Sequence, residues 1–253
     1  MRELERDSSS DVAACSRVAI VGRGRLGSAL AAALRRSGND VSGPLARGTT
    51  GAGADVVLLC VPDSEIARAA ALLEPGAIVG HCSGATTLDA LAPHERFSFH
   101  PLMTVTAAGA EFAGAGAAIA GSSERALAVA RQLADALGMQ TIEIDEHDRP
   151  AYHAAASIAS NFLIALEAAA ERLGASAGLD RAHLVPLVRA TVENWAALGA
   201  ERALTGPVAR GDEMTVTAHR GAVAERAPEL LSLFDALVEV TQALAREREA
   251  APA

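Results

Sequence analysis

Gly22, Gly24 and Gly27 stand in the run Gly22-Arg-Gly-Arg-Leu-Gly27, after the apolar stretch Val18-Ala-Ile-Val21 and before an alanine- and leucine-rich segment. Strand, GxGxxG, helix is the context in which such glycines hold a pyrophosphate. Gly22 permits the tight turn, Gly24 lets the backbone approach an anion, and Gly27 allows close packing of helix on sheet. Arg25 and Leu26 complete the turn, and the helix N-terminus turns its free N–H groups toward the anion. The next strand chooses between dinucleotides, because an NAD site expects an acid about 20 residues on. Here the segment ends Gly43-Pro-Leu-Ala-Arg47, and Asp40 lies at its start. Arg47 stands where a cation would meet a 2′-phosphate, and Arg23 and Arg25 add positive charge, so NADP is the expected cofactor. The competing reading makes Arg47 a solvated loop residue.

A second group of residues has the types needed for proton transfer. His153, Ser157, Ser160 and Asn161 are spaced i, i+4, i+7 and i+8, which on a helix of ordinary pitch gathers them on one face. His153 is a candidate acid and Asn161 a candidate ligand of a carbonyl or hydroxyl, with Ser157 lining the same cleft; the alternative is hydrogen bonding to a neighbouring helix. His100 follows the apolar stretch Phe97–Phe99, and His81 and Ser83 follow another, Ala77–His81. Strand ends are where parallel sheets bind ligands, so His100 is a candidate acid, Ser83 a cofactor contact and His81 a substrate contact. Arg210 has the fork that clamps a carboxylate, or it pairs with an acid on a neighbouring helix.

Composition removes several classes of function. All 22 basic residues are Arg, so lysine Schiff-base and lysine general-acid chemistry have no agent. One Trp, one Tyr and five Phe give no stacking surface for single-stranded nucleic acid, and a net charge of −9 disfavours polyanions. The longest apolar run, Ala151 to Leu166, is shorter than a membrane span and contains His153 and Asn161, so no membrane association is expected. Three cysteines without a CxxC pair fit a reducing, cytoplasmic setting and suggest no zinc cage. Asp145-Glu-His-Asp148 reads as a solvated turn with Asp148 capping a helix, and no metal site is expected.

The elements that must position these groups fall into two kinds. Residues 1–15 read as a flexible tail. From 16 to 146, short β-branched runs alternate with helical stretches, the pattern of an α/β, doubly wound, mostly parallel Rossmann-like sheet. The strands are expected at Arg17–Val21, Asp40–Leu45, Asp55–Val61, Ala77–His81, Phe97–Phe99, Ala117–Ala120 and Gln140–Ile144. The helices between them are expected at Gly27–Ser37, Ser64–Leu72, Thr87–Leu91 and Ser123–Leu137. From 147 to 248 the pattern is all-helical: Ala151–Leu173, Asp180–Ala203, Asp212–Ala224 and Pro228–Glu247, with a frayed end from Glu247. Helices so rich in Ala and Leu, with little aromatic mass, predict a homodimer through this second domain.

With these segments placed, Asp55-Val-Val-Leu-Leu-Cys-Val-Pro62-Asp resembles the strand-to-loop stretch after the cofactor site in the 6-phosphogluconate-dehydrogenase-like superfamily. Val79-Gly-His-Cys-Ser-Gly84, Phe99-His-Pro-Leu102, Tyr152-His-Ala-Ala-Ala-Ser-Ile-Ala-Ser-Asn161 and Leu204-Thr-Gly-Pro-Val-Ala-Arg-Gly-Asp212 occur in this order. Together they resemble a bacterial family that joins a Rossmann-like domain to a helical domain of unassigned function. Pyrroline-carboxylate, ketopantoate and prephenate enzymes are more distantly similar. The resemblance implies a nicotinamide-dependent reductase with Val61 and Pro62 near the cofactor, and a dimer. It implies a small 2-oxo acid as substrate, ketopantoate being the best single guess. Two alternatives remain open: an imine or pyrroline-carboxylate-like reductase, and a non-catalytic NADP-binding regulator. Relatives often carry Lys just before the Tyr-His pair, where this sequence has Arg149. Arg holds an anion, such as a substrate carboxylate, but is a poor proton donor. The acid must then be His153, His100, His81, Tyr152 or a water.

Overall fold

The structure, a computed structural model, describes residues 17–106 and 109–250, with side chains to 248. The expected tail, 1–15, lies outside the described residues. The strands are β1 (Val18–Val21), β2 (Val41–Leu45), β3 (Val56–Leu59), β4 (Ile78–His81), β5 (Arg96–Leu102), β6 (Gly116–Gly121) and β7 (Gln140–Glu143). They form one sheet in the order β2-β1-β3-β4-β5-β6-β7. Every pairing is parallel except β5 with β6.

The central strands read as unbroken apolar runs because both sheet faces are covered. Val18 and Ile20 of β1 join one apolar cluster, and Ala19 and Val21 join the other; Val56 and Leu58 of β3 divide from Val57 and Leu59 in the same way. The first cluster is closed by α1 (Arg25–Arg36) and α3 (Glu124–Ala136). These helices bury Leu30, Ala31 and Leu34, and Val129, Ala130 and Leu133, at helical spacing. α3 starts where Ser123 Oγ accepts from the amide of Ala126. The second cluster is closed by α2 (Ile66–Ala70) and the 3₁₀ turn Leu88–Leu91.

Several boundaries differ from expectation for local reasons. The helix expected over Ser64–Leu72 begins as a 3₁₀ turn, Asp63–Glu65, and the one over Thr87–Leu91 is wholly 3₁₀. β5 runs on to Leu102, since β6 pairs with it antiparallel as far as Gly116. His100 therefore lies inside a strand, near its carboxyl end, and not after it.

The remaining helices are α4 (Arg149–Ser157), α5 (Leu163–Ala175), α6 (Arg181–Leu198), α7 (Ala200–Ala203), α8 (Glu213–Arg226) and α9 (Leu231–Ala250). Gly199, at φ +78°, splits the segment expected to be one helix over Asp180–Ala203. Asp180 and His183 form a capping box for α6, and Asp212 caps α8 by accepting from the amide of Thr215. The end expected to fray from Glu247 stays helical to Ala250.

The contacts divide the described chain into two units, 17–160 and 161–250. The sequence places the joint earlier, at 146/147. The difference arises because α4 is tied to β5 by Arg149, which is buried and bonds to Ser98. In the second unit, α7, α8 and the 3₁₀ turns Val208–Arg210 and Pro228–Leu230 pack on α9. α5 and α6 bury no residue. The helical path Arg149–Ala175 is long and apolar enough, by length and composition, to cross a membrane. That corrects the expectation from the shorter run Ala151 to Leu166. The path is longer because a π turn, Ile158–Phe162, joins α4 to α5 without a break. Its first turns are held on the sheet through Arg149 and Tyr152.

Candidate active site

The carboxyl ends of β1, β3, β4 and β5 share one edge of the sheet, since these strands run parallel. At β1 the chain turns at Gly22 with φ +125°, where a Cβ would lie 2.2 Å from the carbonyl oxygen of Cys60. Only glycine fits there. A Cβ on Gly27 would meet the Gly22 carbonyl at 2.1 Å, whereas one on Gly24 would meet nothing within 4 Å. The turn is thus packed against β3 behind and open at Gly24 in front. α1 follows with no acidic residue in its first turn and no side-chain cap on its amides. Those amides and the open backbone form a cradle suited to a pyrophosphate. Arg25 is exposed beside the cradle, while Leu26 packs against the first core cluster.

Arg47 follows β2 and is exposed, with its guanidinium 3.9 Å from Glu65 Oε2. Arg68 reaches the same oxygen at 3.6 Å. Two cations share one acid around a cavity of about 270 Å³, leaving net positive charge for an anion. Arg68 and Glu65 escaped the sequence reading because no spacing rule links them to residue 47. Val61 packs against the second cluster and Pro62 precedes the 3₁₀ turn at Asp63.

The loop after β4 is fixed by Ser83. Its hydroxyl donates to Asp63 Oδ2 at 2.7 Å and accepts from the amides of Ala85 and Thr86. A further bond joins it to Thr86 Oγ1 at 3.0 Å, so Ser83 braces the loop. His81 is fully buried. Its Nδ1 accepts from the Ser83 amide at 3.2 Å, which places the ring proton on Nε2. Burial first, and the Arg149 cation second, push its pKa down to about 4. The ring is neutral at neutral pH and has no exposed atom with which to meet a substrate, so the expected direct contact is replaced by a bracing role.

Arg149 is the largest correction. Expected to hold a substrate carboxylate, it is 2% exposed and is already paired. Its Nη2 donates to Glu146 Oε1 at 2.7 Å and to Ser98 Oγ at 3.0 Å. Glu146 Oε2 in turn accepts from the amide of Leu88. A buried guanidinium needs such a counter-charge. Arg149 Nε has no hydrogen-bond partner among the described residues, while the backbone of Thr87 lies against the His81 ring. Of the rest of the Asp145–Asp148 run, Asp148 stands at the N-cap of α4 but accepts no capping bond, contrary to expectation; His147 Nδ1 lies 3.0 Å from its carboxylate.

The bond from Arg149 to β5 brings Tyr152 and His153 to His100. Tyr152 Oη lies 2.6 Å from His100 Nδ1, and the two rings meet edge to face. His153 stacks edge-on to His100 with ring centres 6.1 Å apart. Burial pushes the His100 pKa down to about 4, with help from His153 and Arg149, and burial pushes Tyr152 up to about 12. Gly84 passes between the imidazoles: a Cβ there would lie 2.7 Å from His153 Cδ2 and 2.8 Å from His100 Cε1. Gly84 was invisible as a site residue, because a Ser-Gly turn announces nothing about the rings beside it. His153 is half-buried and makes no hydrogen bond among the described residues.

The expected stripe does not persist. The π turn inserts an extra residue per turn, which breaks the phase on which the stripe His153, Ser157, Ser160 and Asn161 rested. Ser157 is half-buried without a side-chain hydrogen bond among the described residues, and Asn161 is exposed and opens the second unit. Arg210 lies within that unit, bordering a cavity of about 790 Å³ with Arg246 and Arg248.

A family model described as "Domain of unknown function (DUF2520)" matches residues 115–241, half of the chain. This chain belongs to the DUF2520 family. No curated protein matches it in sequence. Among solved structures, the DUF2520 chain is similar to TM1727 of Thermotoga maritima, at 26% identity and TM-score 0.77, over 92% of this chain and 99% of that one. BF3122 of Bacteroides fragilis, provisionally described as an NADP oxidoreductase, is 21% identical with TM-score 0.76, over 90% and 98%. A reductive aminase of Aspergillus terreus in complex with NADPH and ethyl levulinate is 16% identical with TM-score 0.66, over 92% and 95%. These likenesses confirm a Rossmann-like fold with a helical C-terminal part.

The buried groups of this DUF2520 protein generate two predictions. Replacing Arg149→Met keeps much of the volume but removes charge-assisted bonds, and should cost about 2 kcal/mol in urea unfolding. A loss below about 0.5 kcal/mol would mean that the guanidinium does not hold α4 to β5. The second concerns acid. His81 and His100 bind a proton near pH 4 when folded and near 6.5 when unfolded. Between those values the unfolded chain binds more protons, so stability is full above 6.5 and falls as pH drops toward 4. Denaturation midpoints should decline over that window, less steeply in His81→Asn; a flat midpoint would show that the imidazoles are not buried as described.

Proposed function

We propose that this protein is an NADPH-dependent oxidoreductase acting on a small 2-oxo acid, with ketopantoate as the best single substrate. One observation carries the reading: the His100–Tyr152–His153 cluster stands on the same carboxyl edge of the sheet as the glycine cradle. The cradle suits a dinucleotide, since it is closed behind Gly22, open at Gly24 and faces uncapped amides of α1. Arg47 and Arg68 suit a 2′-phosphate. The DUF2520 chain also shares its fold with an enzyme solved with NADPH.

When bound, the nicotinamide supplies the hydride. The chain must then place the carbonyl and deliver one proton to the oxygen that becomes an alkoxide. His153 suits that role, being half-buried and uncommitted. His100, neutral and bonded to Tyr152, fixes the cluster and offers a route for replacing the proton. Ser83 and Asp63 hold the loop that keeps Gly84 between the rings. The guanidinium of Arg149 stays out of reach and contributes a fixed positive field.

Imine reduction is a second reading, favoured by the fold shared with a reductive aminase. NADPH oxidation should be followed over a panel of 2-oxo acids and cyclic imines. We expect turnover with 2-oxo acids, a loss of about 10²-fold or more in His153→Ala, and a lower NADPH-over-NADH preference in Arg47→Ala. Turnover on imines alone would select the second reading. NADPH binding without turnover would select a regulatory protein, and an unchanged preference in Arg47→Ala would remove the 2′-phosphate assignment.

The protein is further proposed to work as a homodimer through its helical unit. Ile164 is 70% exposed, Leu187 65%, Trp195 58% and Val240 65%. Apolar groups of this size rarely stay wet over several helices, and a second copy presents the same surface. Light scattering in detergent-free buffer should give twice the chain mass, reduced to a monomer by Leu187→Asp with Trp195→Asp. A monomeric wild type, or one that stays dispersed only in detergent, would refute the dimer.

A further inference from the structure

Cys60 and Cys82 end the neighbouring parallel strands β3 and β4. The register pairs Val56 with Ile78 and Leu59 with His81, so the next pair is Cys60 with Cys82. The Cys82 amide donates to the Leu59 carbonyl at 3.2 Å, carrying the ladder into that pair. Adjacent strands lie about 4.8 Å apart, inside the Cα separation of about 4.4–6.8 Å that a disulfide spans. Partners in register point to the same sheet face, and the two Sγ atoms are 3.6 Å apart. Closing to a bond of about 2.05 Å needs side-chain rotation and a small movement of the strand ends toward each other.

From this geometry we infer that Cys60 and Cys82 are a redox-active dithiol, oxidised by hydroperoxides to an intramolecular disulfide beneath the glycine turn. Access divides the roles. Cys60 is half-buried and within reach of solvent, whereas Cys82 is 8% exposed. The hydrogen bond with Cys60, and then burial, also push the Cys82 thiol well above its usual range. Cys60 is therefore the sulfur that meets the oxidant and Cys82 the one that resolves it. The Cys60 thiolate attacks the peroxide: an S–O bond forms, the O–O bond breaks and hydroxide or alkoxide leaves, giving a sulfenic acid. Cys82 sulfur then attacks Cys60 sulfur: the S–S bond forms, the S–O bond breaks and water leaves with the Cys82 proton. Two thiols are oxidised and one peroxide bond is reduced. A soft metal ion fits less well, because no third His, Cys, Asp or Glu completes a metal group among the described residues.

The pair is coupled to the cradle by contact. The Cys60 carbonyl fills the place of a Cβ on Gly22, and Cys60 Cβ lies 3.1 Å from where one on Gly27 would be. Drawing Cys60 toward Cys82 disturbs the floor of the turn. This consequence, unlike the disulfide, rests on the proposed binding of a dinucleotide.

The test uses the full chain carrying Cys15→Ser, treated with hydrogen peroxide, denatured, alkylated and digested with trypsin. Cleavage after Arg47, Arg68 and Arg96 places the two cysteines on separate peptides, 48–68 and 69–96. We expect these peptides linked, released by dithiothreitol, and unlinked in Cys60→Ser and Cys82→Ser. Sulfinic acid at Cys60 with Cys82 alkylated, or links between chains only, would overturn the inference. NADPH Kd should weaken about tenfold on oxidation and recover on reduction. A Kd that stays within about twofold while the link forms would overturn the coupling. A reduced protein that binds no NADPH would sink the dinucleotide reading and leave the disulfide standing.

Discussion

The enclosed guanidinium of Arg149 is the interaction on which the carboxyl edge of the sheet depends. It is held by Glu146 and Ser98, so one side chain joins the start of α4, the strand β5 and, through Glu146 and Leu88, the 3₁₀ turn after β4. Removing a full charge from water is costly unless its partners are present and well placed, so these three segments are fixed together. Tyr152 and His153 follow Arg149 by three and four residues, one helical turn on. The distance from Tyr152 to His100 is thus set by where Arg149 is anchored. The same charge helps to lower the proton affinity of His81 and His100, as does the burial that it completes. Position and electrostatics at this edge have a common origin.

Around that anchor, the site is shaped by backbone passing where no side chain fits. Gly22 lies against the Cys60 carbonyl and Gly84 between two imidazole rings. In each place a methyl group would displace a neighbour that has its own partners: Cys60 accompanies Cys82, and His100 bonds Tyr152. The glycine turn and the histidine cluster therefore share a floor made by the ends of β3 and β4.

The sheet was legible in the sequence because its strands are apolar on both faces, and short β-branched runs between helical stretches suit few architectures besides a covered parallel sheet. The glycine turn was legible because its residues are consecutive. The rest of the site was not, for identifiable reasons. Arg149 reads as a surface or ligand-binding residue, since its burial depends on Glu146 and on Ser98, 51 residues away. Cys60 and Cys82 are 22 residues apart and meet only through strand register. The stripe from His153 to Asn161 assumed an unbroken helical pitch, and the π turn Ile158–Phe162 has no periodic signature that would have warned against it. What sequence pattern reports is periodicity; what it leaves out is pairing across long separations.

The complete substitution of Arg for Lys bears on chemistry at this one buried position. A lysine enclosed as Arg149 is would lose its proton readily and act as an acid, whereas a guanidinium keeps its charge. With Arg present, the cation beneath the site is permanent and donates no proton. Burial, with help from that charge, holds His81 and His100 neutral, so neither supplies an imidazolium proton at neutral pH. Tyr152 holds its proton more tightly still, up to about 12. Within the cluster, Tyr152 and His100 are bonded to each other, whereas His153 makes no hydrogen bond among the described residues, so the proposed reduction would draw its proton through His153. With a guanidinium at position 149, the proposed reaction has to take its acid from the histidine cluster and not from the buried cation.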